Sequence, residues 1–216
     1  DLIDVVSSRD SSNLSGWITI ANHSYDKLST SVRRDFKPLA DLNETEKRAW
    51  MNAMFLDKEG EGRNEFFEYI WNRLGDILKS IDVMTELTVE NMKRFGAEGV
   101  RYMEIQSRFR GWNDANGNQI SKDDATRRFL DRFDQADAKA TGVLVRFQSI
   151  VLRFSTDAIQ SVEQYFEYTY NHPELWLGIN MAGREDDNRG YPSKFTDVYD
   201  RMLRKFPGVG ISIHAG

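Results

Sequence analysis

Apolar and polar positions change their period partway along the chain. Over residues 66–95 the apolar positions Phe67, Ile70, Leu74, Ile77, Leu78, Ile81, Met84, Leu87, Met92 and Phe95 largely recur three or four apart. That spacing predicts helix with one apolar stripe turned toward a core. The stripe is too long for a single ordinary helix, and Gly75 or Ser80 is the expected break. Upstream, Asn43 followed three residues later by Glu46 has the spacing of a capping box and predicts a helix from there to about Phe55. From Gly99 onward, strand-like runs rich in Val, Ile and Phe cover residues 100–109, 143–154, 175–182 and 209–213. Helical stretches are expected between them. One begins near Ser121 and closes at Gly142, one runs from a cap at Ser155 or Thr156 to His172-Pro173, and one runs from Ser193 to Phe206 before Pro207-Gly208.

Strands alternating with helices in this way imply βαβ units around a parallel sheet, and the near-continuous apolar runs read as strands buried on both faces. Residues 1–37 carry no such period. A Ser-rich stretch precedes the short run from Trp17 to Ile20, and at most one short strand is expected there. The expected organisation is an irregular segment over 1–42 and one α/β domain over 43–216.

Composition narrows the function classes. The chain has 216 residues, 29 Lys and Arg against 34 Asp and Glu, and a net charge of -5. Its basic residues are interleaved with acids at helical spacing, so no polyanion or nucleic-acid partner is expected. No run of about 18 apolar residues occurs, so no membrane partner is expected. The chain holds no cysteine, so any metal must use histidine and carboxylates. Lack of cysteine is compatible with either compartment. The cytoplasm is the expected location, with secretion left open.

Candidate chemistry collects at the C-terminal end. His214 follows the last strand between small residues, where a barrel mouth would place a metal ligand. A packed histidine at a sheet edge is the plainer reason for it on position alone. Gly183 ends the preceding strand, where lack of a Cβ allows a substrate to approach the backbone N–H, or simply allows a tight turn. Arg184-Glu185-Asp186-Asp187 is either a solvated loop or a source of rim carboxylates. His23 and His172 fall in an irregular segment and before a proline, and no His-x-His pair occurs. The stretch from Asp114 to Asn118 has its glycine in the wrong place for a calcium loop and reads as a turn.

Met181-Ala-Gly-Arg-Glu-Asp186 followed by Ser212-Ile-His-Ala-Gly216 resembles the adenosine deaminase family, whose strands end in a glycine-acid turn and in His-Ala-Gly-Glu. Glu98-Gly-Val-Arg-Tyr-Met-Glu-Ile105 is similar to that family's second strand, and Arg153 stands where many members carry an arginine. The likeness covers roughly residues 66–216 and is nearer the growth-factor-type members. It implies an α/β fold, here a partial (β/α)8 barrel of TIM type with a helical N-terminal region. It further implies one Zn²⁺, with His214 as a metal ligand and the Gly183 backbone against N3 of a purine. The implied activity is hydrolytic deamination of adenosine or a related aminopurine nucleoside.

Departures accompany the likeness. The family's first-strand His-x-His pair is absent, the general-acid Glu would fall just after Gly216, and Asn180 stands where many members have Asp. The chain is therefore expected to be one part of an enzyme, its partners being the rest of the barrel from a longer chain or second fragment and a purine nucleoside substrate. A homo-oligomer is compatible with this reading. Deamination of adenine or an adenine nucleotide, and a zinc-free scaffold, stand as the alternatives.

Overall fold

A computed structural model describes residues 5–7, 17–56, 58–183 and 190–214. The chain divides into two compact units, residues 1–88 with 112–121 and residues 89–111 with 122–216. Among the described residues no helix is long and apolar enough to cross a membrane.

The first unit opens with three short antiparallel strands, β1 (Val5–Ser7), β2 (Ile18–Ile20) and β3 (Phe36–Pro38), in the order β2-β1-β3. The sequence pattern suggests at most one strand here, because three-residue strands are too short to display a period. Helix α1 (Glu44–Asn52) starts at the expected capping box. The Asn43 side chain accepts the Glu46 N–H at 2.9 Å, and the Glu46 carboxylate accepts the Asn43 N–H at 3.0 Å. The long stripe that follows is broken into short pieces: helical turns at Arg63–Glu65 and Trp71–Arg73, a π turn at Phe66–Ile70 and a 3₁₀ turn at Ile77–Lys79. At the break, backbone groups find partners on Asn113. Its N–H donates to the Lys79 carbonyl at 2.8 Å, and its carbonyl accepts the Ile81 N–H at 3.1 Å.

Helix α2 (Ile81–Ala97) runs from the first unit into the second. Its buried positions are Ile81, Thr85, Thr88, Val89 and Met92, while Leu87 and Phe95 are exposed. This corrects the phase of the expected stripe. Threonine can occupy the buried face because Thr85 and Thr88 return their hydroxyls to the helix's own carbonyls, of Asp82 and Met84, at 2.9 and 2.7 Å. The helix stops at Gly99, whose φ of +95° suits glycine. The Val100 N–H reaches back to the Phe95 carbonyl and the Gly99 N–H to that of Gly96, closing a Schellman motif.

The second unit is the βαβ array. Strands β4 (Tyr102–Ser107), β5 (Leu144–Leu152), β6 (Trp176–Ala182) and β7 (Gly210–Ile213) pair in sequential parallel order. Helices α3 (Lys122–Phe133), α4 (Ala158–Asn171) and α5 (Thr196–Lys205) form the crossovers, with a separate turn of helix at Ala136–Lys139 after α3. Asp157, rather than Ser155 or Thr156, holds the N-cap position of α4.

One face of the sheet carries Val145, Phe147, Val151, Ile179 and Met181, all buried with residues such as Phe129, Val162, Phe166 and Met202 of the crossover helices. Phe147 meets Phe129 edge-on at 4.8 Å and Trp176 at 5.4 Å. The other face alternates with it and presents Tyr102, Glu104, Gln106, Leu144 and Leu152 exposed, with Arg146, Gln148 and Ser212 half-buried. The expectation of strands buried on both faces is therefore wrong for β4 and β5, whereas β6 meets it, with Gly178, Ile179, Asn180 and Met181 all buried. Strand β5 obeys a period of two, which a run rich in Val, Ile and Phe conceals.

Candidate functional site

The carboxyl ends of β5, β6 and β7 bring Arg153, Gly183 and His214 side by side. Leu152 pairs with Ala182 and Met181 with Ile213, so the residues that follow these strands leave the sheet as neighbours. The ladder extends one step further, with the Arg153 N–H on the Ala182 carbonyl and the His214 N–H on the Met181 carbonyl, both at 2.9 Å.

Gly183 has a φ of +101°, which disfavours any side chain. A Cβ there would also stand 2.7 Å from Cε1 of Phe154. Glycine at this position therefore answers to the turn and to the neighbouring ring at once.

His214 is exposed, and its Nδ1 lies 3.2 Å from the Met181 carbonyl oxygen. A carbonyl can only accept, so this bond assigns the ring proton to Nδ1 and leaves the Nε2 lone pair available. Arg153 is wholly buried, and its Nη2 donates to the carbonyls of His214 at 2.6 Å and Met181 at 3.2 Å. The phenol of Tyr199 is buried close by. Burial pushes its pKa up to about 12 against the opposing effect of the Arg153 charge.

A hydrogen-bonded ladder crosses the exposed face of the sheet. Asn180 Nδ2 donates to Ser212 Oγ at 2.5 Å, Ser212 donates to Gln148 Oε1 at 2.6 Å, and Gln148 Nε2 donates to Glu104 Oε2 at 2.6 Å. From the far side Tyr102 donates to Glu104 Oε1 at 2.9 Å. Every donor in the ladder points toward the Glu104 carboxylate. The sequence motifs contain Tyr102, Glu104, Asn180 and Ser212 but not Gln148, and they give none of them a shared role. Their position on one face at matching register is a signal that strand alternation could have supplied.

The remaining candidates lie elsewhere or beyond description. His172 precedes β6, at the opposite end of that strand from Gly183, where its ring stacks on Tyr168 and its Nδ1 meets Glu174 at 3.1 Å. His23 belongs to the other unit. Arg184, Glu185, Asp186, Asp187, Ala215 and Gly216 fall outside the described residues. The stretch from Asp114 to Asn118 is a turn as read, with Asp114 Oδ1 accepting the N–H groups of Asn116 and Asn118 at 2.9 and 2.8 Å. Among the described residues no group of three or more histidine or carboxylate side chains could hold a metal ion. His214 has one ring nitrogen held on a carbonyl and the other carrying a lone pair.

The family model described as Adenosine deaminase matches residues 39–216, well over half the chain. The chain belongs to the adenosine deaminase family. Among solved structures, an adenine deaminase from Arthrobacter aurescens superposes with a TM-score of 0.53 at 19% identity, covering 71% of this chain. At that identity the likeness is one of fold, and it makes the parallel array part of a TIM-type barrel. The chain spans 43% of the length of that adenine deaminase. No curated protein matches the sequence.

Proposed function

We propose that this adenosine deaminase-family chain contributes the N-terminal half of a zinc-dependent aminopurine deaminase barrel, converting a 6-amino purine and water to the 6-oxo purine and ammonia. The observation that carries the reading is His214 at the end of β7, its Nδ1 on the Met181 carbonyl, beside the Gly183 turn. Zinc, when bound, supplies the charge that makes water nucleophilic near neutral pH. His214 would hold the metal through its Nε2 lone pair. The Gly183 backbone N–H faces N3 of the purine, where a side chain would block approach. In this reading the general acid would be the Glu of the family's His-Ala-Gly-Glu motif, and the further zinc ligands would come from the remainder of the barrel, in the same longer chain or a second fragment. Adenosine is the first substrate of the proposal.

Zinc content and conversion of adenosine to inosine by the intact protein test this. His214→Ala is expected to lower both by at least ~100-fold. Retention of zinc and turnover by that variant would remove His214 from the site. A second reading keeps the chemistry and changes the substrate to adenine, on the strength of the fold shared with the Arthrobacter adenine deaminase. Comparing adenosine, adenine and adenosine monophosphate as substrates separates the two.

A further inference from the structure

We infer that Arg153 is a positioning residue for His214, holding the imidazole so that Nε2 points in one fixed direction. The inference rests on the reading of His214 as a zinc ligand and assigns Arg153 a role that acts through His214.

Arg153 is completely buried. A guanidinium withdrawn from water is costly unless strong acceptors meet it, so its acceptors show where that cost is offset. Its Nη2 reaches two of them, the His214 carbonyl at 2.6 Å and the Met181 carbonyl at 3.2 Å. Both are main-chain groups at the ends of adjacent strands, so one side chain fastens β6 to the residue that leaves β7.

The same bonds account for the freedom of His214 group by group. Its N–H is fixed on the Met181 carbonyl at 2.9 Å, and its own carbonyl is fixed by Arg153. The main chain is thus tied on both sides of its Cα. What remains is rotation of the ring, and the Nδ1 contact to the Met181 carbonyl at 3.2 Å removes it. The Met181 oxygen is therefore shared by three donors: the His214 N–H, His214 Nδ1 and Arg153 Nη2. Arg153 holds in place the acceptor that sets the ring. Its Cγ lies only 3.8 Å from where a Cβ on Gly183 would stand, so its stem packs beneath the glycine turn as well. Outer partners that orient metal-binding histidines in this manner typically govern metal affinity by 10 to 100-fold.

The test uses the intact protein and the variants Arg153→Lys, Arg153→Met and His214→Ala. Zinc affinity is read by chelator competition, and the ¹⁵N resonances of His214 report its tautomer in zinc-stripped protein. Arg153→Met is expected to weaken zinc binding by about 10 to 100-fold and to replace a single Nδ1–H tautomer with a mixture. Arg153→Lys keeps the charge with one donor head and is expected to fall between Arg153→Met and the parent. Folded variants that retain parental zinc affinity and the single tautomer would overturn the proposal. So would a mixture of tautomers in the unmutated, zinc-free protein, a measurement that stands even if both substitutions prevent folding. Unchanged zinc affinity in His214→Ala would instead count against the metal role of His214, leaving the tautomer experiment to decide the role of Arg153.

Discussion

The two faces of the β4–β7 sheet are built by different rules. On the helix side, Phe147, Phe129 and Trp176 interlock with ring separations of about 5 Å, and the polar atoms that stray there, Ser149 Oγ and Thr169 Oγ1, have no hydrogen-bond partner among the described residues. On the other side, Tyr102, Glu104, Gln148, Ser212 and Asn180 are joined across all four strands, while Leu144 and Leu152 stand exposed. The helix side gains its free energy from dispersion and dry packing, so it tolerates a few orphaned hydroxyls. The ladder side links polar side chains across the strands at mostly exposed or half-exposed positions; Asn180 alone is buried there, and its Oδ1 has no hydrogen-bond partner among the described residues. Stability resides on the first face, and the arrangement of polar groups on the second.

The sharpest way to break that comparison is to remove volume from the packed face. Phe147→Ala deletes a ring that is 1% exposed and is expected to destabilise the protein by about 3–5 kcal/mol, measured by urea unfolding. A loss below ~1 kcal/mol would show that the helix side is not the stabilising layer.

Next in size is a pH effect. In the unfolded chain the Tyr199 phenol titrates near its ordinary value of 10.0, whereas in the folded protein burial raises it to about 12. The folded state thus holds its proton where the unfolded state releases it. The contribution is fully present below pH 10 and is lost as pH rises from 10 to 12, at about 1.4 kcal/mol per unit. Urea unfolding across this window is expected to show that decline in the parent and a shallower one in Tyr199→Phe. The variant is also expected to be no less stable at neutral pH, because the Tyr199 hydroxyl has no hydrogen-bond partner among the described residues.

The smallest effects belong to the ladder. Ser212→Ala breaks the relay between Asn180 and Gln148 and is expected to cost about 0.5–1.5 kcal/mol. Tyr102→Phe, at a half-exposed edge position, is expected to stay within about 0.5 kcal/mol. A larger cost for Tyr102→Phe than for Ser212→Ala would locate the strength of the ladder at β4 rather than β7.

What the sequence made legible follows from how local each signal is. The capping box at Asn43, the stop at Gly99, the break in the stripe between Gly75 and Ser80 and the four parallel strands are written in neighbouring residues, and the structure contains them. The short strand at residues 18–20 falls in the apolar run from Trp17 to Ile20, but its partners at 5–7 and 36–38 were not legible, because three residues carry no period and the pairing joins segments distant in sequence. The phase of α2 was misread because Thr85 and Thr88 hide their hydroxyls on the helix's own carbonyls and so occupy apolar sites. At the candidate site, Gly183 and His214 could be picked out by residue type and by position at strand ends. The contacts of Arg153 could not, since they exist only when three strand ends are side by side.

The path of the chain through the two units has a consequence for biosynthesis. The first unit is interrupted: it ends at residue 88, and its missing piece, 112–121, arrives only after β4 has been made. Asn113, which supplies both backbone partners at the break before α2, lies in that late piece. A nascent chain at roughly 5–20 residues per second thus emerges for seconds with the Lys79 carbonyl and Ile81 N–H still on water. The ribosome must release residue 121 before the first unit can close.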